Sequence, residues 1–193
     1  MPRILIKMGQ EGRSVLVLIG ALAVSVWPGV ATAQDERLEG IMVKHEIEIP
    51  ESIRREHEAI HSALVAATRA PGRVGAAAKA LADVLHPHFV REEEIALPPL
   101  GLLAPLAARS TLPEATSKKA VEMTTALRAE MPRMLGEHVR IRAAVAELRA
   151  AAESAGSEAQ IELADELALH ARTEEEVLYP AALLVGEMLR PRR

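Results

Sequence analysis

One pattern occurs twice along this chain of 193 residues, and it restricts the fold more than any other feature. Each copy has a glutamate-histidine pair, a gap, and then a histidine followed four residues later by the first of three consecutive glutamates. The two gaps, from one histidine to the next, are 31 and 32 residues long. A repeat of this length predicts a duplicated helical hairpin. The repeated residues are Glu56, His57, His88 and Glu92 in the first copy, and Glu137, His138, His170 and Glu174 in the second.

Apolar side chains around these residues recur at the spacing of an amphipathic helix in four stretches. Alanine and leucine with interspersed glutamate and arginine favour helix, and no stretch alternates long enough to build a sheet. Pro71-Gly72 and Gly156 mark the turns within the hairpins, and Pro132 is expected to kink or split the third helix. The sequence therefore predicts an all-α fold, an up-down-up-down four-helix bundle over residues 50–190.

The spacing of the histidines places them at one level of such a bundle. The turn at Gly72 lies 15 residues after His57 and 16 before His88. Both arms of a hairpin rise by about 1.5 Å per residue, so these two histidines arrive at the same height. The second hairpin is equally balanced about Ser154. Because a glutamate four residues after a histidine lies on the same helix face, we expect four histidines and two glutamates in one buried layer.

Such a layer needs positive charge, because buried carboxylates without compensation are strongly destabilising. Two divalent cations bridged by the two glutamates would supply that charge. The chain has no cysteine, and imidazole with carboxylate but no thiolate suits iron or manganese, with zinc as a further candidate. The residues therefore predict two metal ions, each held by two histidines, both glutamates and a solvent-derived bridge. The candidate metal ligands are His57, His61, His88, Glu92, His138, His170 and Glu174.

His61 breaks the symmetry between the two copies. It lies one turn beyond His57, whereas the corresponding residue of the second copy is Arg142. We expect His61 to complete one metal together with His57 and His88. The metal of the second hairpin would then keep one open position, close to Arg142. Neither the tyrosine nor the tryptophan falls on the predicted site stripe, so no radical relay is expected. The remaining histidines, His45 and His86, are predicted not to be ligands.

These residues together resemble a hemerythrin-like, or HHE cation-binding, domain. The Glu-Glu-x-x-Leu-Tyr-Pro stretch that ends at Pro180 is similar to a typical motif of that family, and the resemblance spans about residues 50–189. It implies a four-helix bundle with a non-haem di-iron centre, bridged by both glutamates and by an oxo or hydroxo group. Family members bind dioxygen, sense oxygen or iron, handle nitric oxide or peroxide, or repair iron centres.

Two departures set this chain apart from oxygen-carrying hemerythrins. Those proteins have a second histidine on the third helix where this chain has Arg142. Their last carboxylate is an aspartate five residues after its histidine, whereas Glu174 follows at four. The resemblance therefore implies metal binding and a small ligand such as dioxygen, nitric oxide or peroxide. It favours a binding or sensing protein over an enzyme.

Other readings of the same residues remain open from the sequence. The stretch from His57 to His61 spells HExxH, the signature of zinc metalloproteases, although no third ligand follows at the expected place. Glu58 and His61 form the single Glu-x-x-His motif, where a ferritin-like site needs two. An iron-storage, iron-repair or purely structural metal-binding bundle would use the same ligands. A helical interaction module without metal would leave the histidine layer unexplained.

The N-terminal segment predicts export. A positively charged start, the apolar stretch 15–26, Pro28-Gly29 and the small residues at 31–33 indicate a signal peptide over residues 1–33, cleaved before Gln34. Residues 34–49 would form a leader before the bundle, in a periplasmic or extracellular protein without a stable membrane span. The alternative is an uncleaved membrane anchor over residues 15–33. The net charge of −4 without a basic cluster argues against nucleic acid as a partner.

Overall fold

The computed structural model describes residues 47–191, which are helical apart from short connections and contain no strand. The prediction of an all-α fold is therefore confirmed over this part of the chain. The expected signal peptide lies outside the described residues. The α-helices are α1 Glu51–Ala67, α2 Gly72–Ile95, α3 Leu103–Ala107, α4 Glu114–Ala155, α5 Glu158–Thr173 and α6 Tyr179–Leu189. A 3-10 helix, Pro98–Leu102, precedes α3, and a π-helical segment, Glu174–Leu178, joins α5 to α6.

Four long helical rods form a bundle: α1, α2, α4 and the continuous run from α5 to α6. The short connections 68–71 and 156–157 turn the chain back on itself, so each joins a pair of adjacent helices. α2 packs along α4, which also contacts α5 and α6, while α1 contacts α2 and α5. Among residues 47–191, no helix has both the length and the apolar character that crossing a bilayer needs.

Proline and glycine set most of the helix boundaries. Pro50, Pro71 and Pro113 stand immediately before α1, α2 and α4, where the missing N–H costs no intrahelical bond. Gly156 ends α4 in the left-handed conformation, with φ 65° and ψ 34°, and its N–H donates to the carbonyl of Ala152. Of the two outcomes expected at Pro132, a kink or a split, the split does not occur, because α4 runs through Pro132 as one helix of 42 residues. Packing overrides the loss of a single hydrogen bond there.

Two apolar layers enclose the level at which the predicted ligands lie. One layer includes Leu85, Phe89, Ile141 and Leu167, and lies on the side of the two short turns. The layer on the opposite side is built from Ile95, Leu97, Leu127, Met134, Tyr179 and Ala182. Because both layers exclude water, any polar group between them must find its partners inside the protein.

α6 packs closely against α4 at Gly186. A β-carbon at this position would lie 2.0 Å from Oγ1 and 2.7 Å from Cβ of Thr124. We expect Gly186→Ala to lower the free energy of unfolding by about 1–3 kcal/mol through overpacking. Gly136 is the matched control, because it lies in an exposed part of α4 where an added β-carbon would meet no atom within 4 Å. Gly136→Ala should instead stabilise the helix by about 0.5–1 kcal/mol. Urea unfolding would measure both changes, and equal effects would contradict the close contact.

Candidate metal centre

Six of the seven predicted ligands meet in one buried layer between the two apolar layers. They fall into two sets of four, and the donor atoms of each set all lie within 4.8 Å of one another. Both sets contain Glu92 and Glu174, whose side chains are 0% and 1% exposed. The first set adds His57 and His170, and the second adds His88 and His138. We call these sets the His57/His170 position and the His88/His138 position.

The structure corrects the predicted pairing of the histidines. The sequence placed His57 with His88 and His138 with His170, the partners within each hairpin. Instead, the rings of His57 and His170 lie 5.0 Å apart, and those of His88 and His138 lie 4.6 Å apart. Spacing along the chain fixes only the height of a residue in a bundle. Each helix has two neighbours, and the direction of the side chain decides which neighbour it faces.

His61 does not join either set of donor atoms. The buried face of α1 is defined by His57, Ile60 and Leu64. With about 100° between successive residues, His61 lies on the opposite side of His57 from Ile60 and faces solvent. Its ring is 6.2 Å from the ring of His86 on α2, outside the metal layer. The structure therefore gives no support to the prediction that His61 completes one metal.

A ring of carboxylates orients all four histidines from outside. The Nδ1 atom of each histidine faces a glutamate of the next helix around the bundle, so the contacts close into a circle. Three of these contacts are hydrogen bonds that fix the ring orientation, whereas His57 and Glu93 face each other without one. All four Nε2 atoms face inward. The pairs are His57 with Glu93 at 3.4 Å, His88 with Glu137 at 2.9 Å, His138 with Glu175 at 2.7 Å and His170 with Glu56 at 2.9 Å.

Sequence reasoning missed these outer carboxylates, although the repeat contained their signal. Glu56 and Glu137 precede a histidine of the cluster in each copy, and Glu93 and Glu175 follow the shared glutamate. Helical periodicity alone does not separate them from solvated helix faces. Their duplication at equivalent places was the available clue.

Tyr179 is a second residue that the sequence analysis missed. Its side chain is buried, and its hydroxyl donates to Oε1 of Glu92 and lies 3.2 Å from Nε2 of His138 and 3.5 Å from Nε2 of His88. The prediction that the tyrosine lies off the site stripe is therefore wrong.

The π-helical segment explains why helical periodicity placed Tyr179 elsewhere. In a regular α-helix a residue five positions after Glu174 is turned away by about 140°. Here the N–H of Tyr179 bonds to the carbonyl of Glu174, five residues back, so the widened turn returns Tyr179 to the face of Glu174. The same bond joins Leu97 to Glu92 in the first copy, at 2.9 Å.

The two central carboxylates differ in electrostatic environment. Burial raises the pKa of Glu92, and the charge of Glu174 raises it further. Burial acts in the same direction on Glu174, but the nearby imidazoles of His138, His170 and His57 outweigh it and hold its pKa well below the usual range. Two carboxylates in one dry layer cannot both be charged without cations or imidazolium groups beside them.

Two of the histidines carry part of that compensation. Burial alone would lower the pKa of His88, but its contacts with Glu92 and Glu137 raise the value to about 8. In the same way, Glu174 and Glu56 outweigh burial and raise the pKa of His170 to about 9. Protonated imidazoles therefore balance the carboxylates when no cation does. Burial and the nearby charges of Glu92 and Glu174 also raise the pKa of Tyr179, which keeps the phenol a neutral donor.

The donor atoms fit a pair of cations. Several of them are buried and make no hydrogen bond, which is unusual for polar atoms inside a protein. A cation among them would satisfy these atoms, and imidazole nitrogens with carboxylate oxygens suit iron, manganese or zinc. The buried atoms of the site without a hydrogen-bond partner are Nδ1 and Nε2 of His57, Oε2 of Glu92, Nε2 of His170 and Oε1 of Glu174.

The geometry of the HExxH stretch does not suit a metalloprotease. A zincin holds zinc with both histidines of the motif, on one face of a helix. Here His57 is buried and His61 is exposed, so the two do not converge. Glu58, the expected general base, lies at the surface in an ion pair with Arg54.

Over residues 47–191 the chain is a helical bundle with a buried cluster of four histidines and two glutamates that could hold metal ions. Residues 131–191 match the family described as Hemerythrin HHE cation binding domain. The predicted resemblance is thereby confirmed for this part of the chain, which contains His138, His170 and Glu174. No curated protein and no solved structure matches the chain.

Proposed function

We propose that this chain is a non-haem di-iron protein of the hemerythrin-like type, which binds or senses a small ligand such as dioxygen, nitric oxide or peroxide. The proposal includes the up-down-up-down topology of that family. The observation that carries it is the sharing of Glu92 and Glu174 between two sets of ligand atoms. Glu174 faces His57 and His170 with Oε1 and His138 with Oε2, an arrangement suited to bridging two ions.

The donor chemistry supports iron. Each position offers two imidazoles and two shared carboxylates, a set that leaves room for further ligands on an octahedral ion. Iron supplies redox chemistry and affinity for diatomic ligands when it is bound, whereas zinc supplies neither. Soft thiolate ligands are absent because the chain has no cysteine.

The residues around the ions would control what reaches them. The outer carboxylates hold the imidazoles in fixed orientations and raise their basicity as ligands. The apolar layers exclude bulk water, and a dry pocket favours binding of a small uncharged molecule over hydrolysis or loss of the ions. A binding or sensing role follows more directly from these features than a hydrolytic one.

Anaerobic reconstitution with ferrous iron tests this proposal. We expect two iron ions per chain after desalting, and a new visible absorption on exposure to dioxygen or peroxide, or on adding nitric oxide to the ferrous protein. Zinc-loaded protein, which should show no such absorption, is the control. A folded chain that retains fewer than two ions, or an iron-loaded chain with no response to any of the three ligands, would refute it.

Export is a separate proposal that rests on the sequence of residues 1–33 alone. A periplasmic or extracellular location would fit a chain without free thiols. The small ligand remains the proposed partner, and nothing in the basic residues of the sequence favours nucleic acid.

A further inference from the structure

We propose that the two metal positions are unequal: Tyr179 closes the His88/His138 position, and the His57/His170 position is the one that an outside ligand reaches. This inference rests on the proposed function, because it assigns the small-ligand site within the same centre. It reverses the expectation drawn from His61, which placed the open position on the second hairpin.

The first support is that a side-chain hydroxyl lies beside the histidine nitrogens at one of the two positions. At the His88/His138 position the two Nε2 atoms lie 2.8 Å from each other, and the hydroxyl of Tyr179 lies 3.2 and 3.5 Å from them and bonds to Glu92. Ligands at about 2.1 Å from one ion lie about 3 Å from each other, so this oxygen occupies the place of a further ligand. At the His57/His170 position, both Nε2 atoms are buried and face the shared carboxylate of Glu174 at 3.7 and 2.7 Å, without a well-oriented hydrogen bond.

The duplicated sequence explains why only one position is closed. Leu97 stands five residues after Glu92, as Tyr179 stands five residues after Glu174. Both make the same backbone bond to the carbonyl of that glutamate. Leucine has no polar atom to present, so the first copy supplies no counterpart to the tyrosine hydroxyl.

The outer carboxylates of the two positions differ in exposure and in their ion pairs, and this difference also marks the His88/His138 position as the closed one. Those of the His88/His138 position, Glu137 and Glu175, are 11% and 28% exposed. Arg133 contacts the first at 2.9 Å, and Arg142 contacts the second at 2.5 Å. Arg142 therefore braces the closed position instead of lining an open one.

The outer carboxylates of the His57/His170 position are much nearer to solvent. Glu93 is 51% exposed and Glu56 is 43% exposed. Within residues 47–191, no arginine or lysine pairs with either of them. A surface groove of about 300 Å³ between α1 and α2 is lined by His57 and Glu93, so it reaches the back of this position. Movement of an exposed carboxylate would open a path that the braced side lacks.

Azide binding to the iron-loaded, oxidised full-length protein tests the assignment. We expect one azide per pair of iron ions in the unmodified protein. Tyr179→Phe removes only the hydroxyl, and should raise the count to two while the iron content stays at two. Tyr179→Leu, which copies the residue of the first half, is a second variant in case phenylalanine fills the vacated space. Leu97→Met is the matched control, since it conserves volume and adds no hydroxyl, and should leave the count at one.

Iron content is measured first, so that failure of the metal centre is distinguished from failure of the assignment. If the unmodified protein holds no iron, the proposed function fails. If it holds two ions but binds no azide or two, or if both Tyr179 variants keep two ions and still bind one azide, the assignment is wrong. A crystal structure of the azide complex should show the anion on the ion held by His57 and His170, and an anion beside His88 would overturn the inference.

Discussion

Replacing Glu174 by alanine is expected to reduce the iron content of the reconstituted protein from two ions per chain to one or fewer. Its carboxylate lies 2.7 Å from Nε2 of His170, 3.3 Å from Nε2 of His138 and 3.7 Å from Nε2 of His57. Among residues 47–191, Glu92 and Glu174 are the two that belong to both ligand sets, so replacing either one removes a ligand from both positions at once. Metal analysis after extensive desalting, with circular dichroism to confirm the helical fold, measures the effect.

Glu176→Ala is the matched control for this variant. Glu176 belongs to the same run of three glutamates, but its side chain is exposed and lies outside both ligand sets. It should keep two ions per chain. A Glu174→Ala protein that also retained two tightly bound ions would contradict the bridging role.

The metal-free protein is expected to lose stability as the pH rises from about 6.5 to 9. The pKa values of His88 and His170 are raised to about 8 and about 9 in the folded protein, against 6.5 for a free histidine. The stabilisation from their protonated forms is fully present below pH 6.5, and is lost as the pH passes through the folded values. The loss should be on the order of 2–4 kcal/mol, since a tenfold change in proton affinity corresponds to about 1.4 kcal/mol.

Urea unfolding of the chelator-treated protein at pH 6.5 and pH 9 measures this loss. His170→Gln should reduce the pH dependence, whereas the same change at the exposed His86 should leave it unaltered. Iron-loaded protein should behave in the opposite way, because cations need neutral imidazoles and compete with protons. A metal-free protein that is equally stable at both pH values would show that these imidazoles do not balance the buried carboxylates.

The height of the site was predictable from sequence because the rise per residue is the same on both arms of a helical hairpin. This constant rise was enough to predict that His57, His88, His138 and His170 lie at one level. The pairing across the bundle was not predictable in that way, since it depends on how each helix is rotated about its own axis. That rotation is set by packing of the whole apolar face, to which His57 contributes only a small part.

The role of Tyr179 could not be found by helical periodicity. The turn after Glu174 contains one additional residue, so every residue after this turn lies on a different face of the helix from the one that regular α-helical spacing predicts. The stretch Glu174–Leu178 has no glycine or proline that would announce such a turn. A simpler error concerns the exposed side of α1. His61 has the right spacing from His57 to be a ligand, but lies beyond the edge of the buried face.

The circle of outer carboxylates links metal binding to completion of the fold. Each of the four rods supplies one histidine to the circle and one glutamate to a neighbouring histidine, so displacing a single rod disturbs two contacts. An isolated hairpin would contain only one of these contacts, because its other histidine pairs with a glutamate of the other hairpin. High affinity should therefore develop only when both halves have docked, which makes ion capture a late event in assembly. We therefore expect a half-folded chain to hold metal ions only weakly.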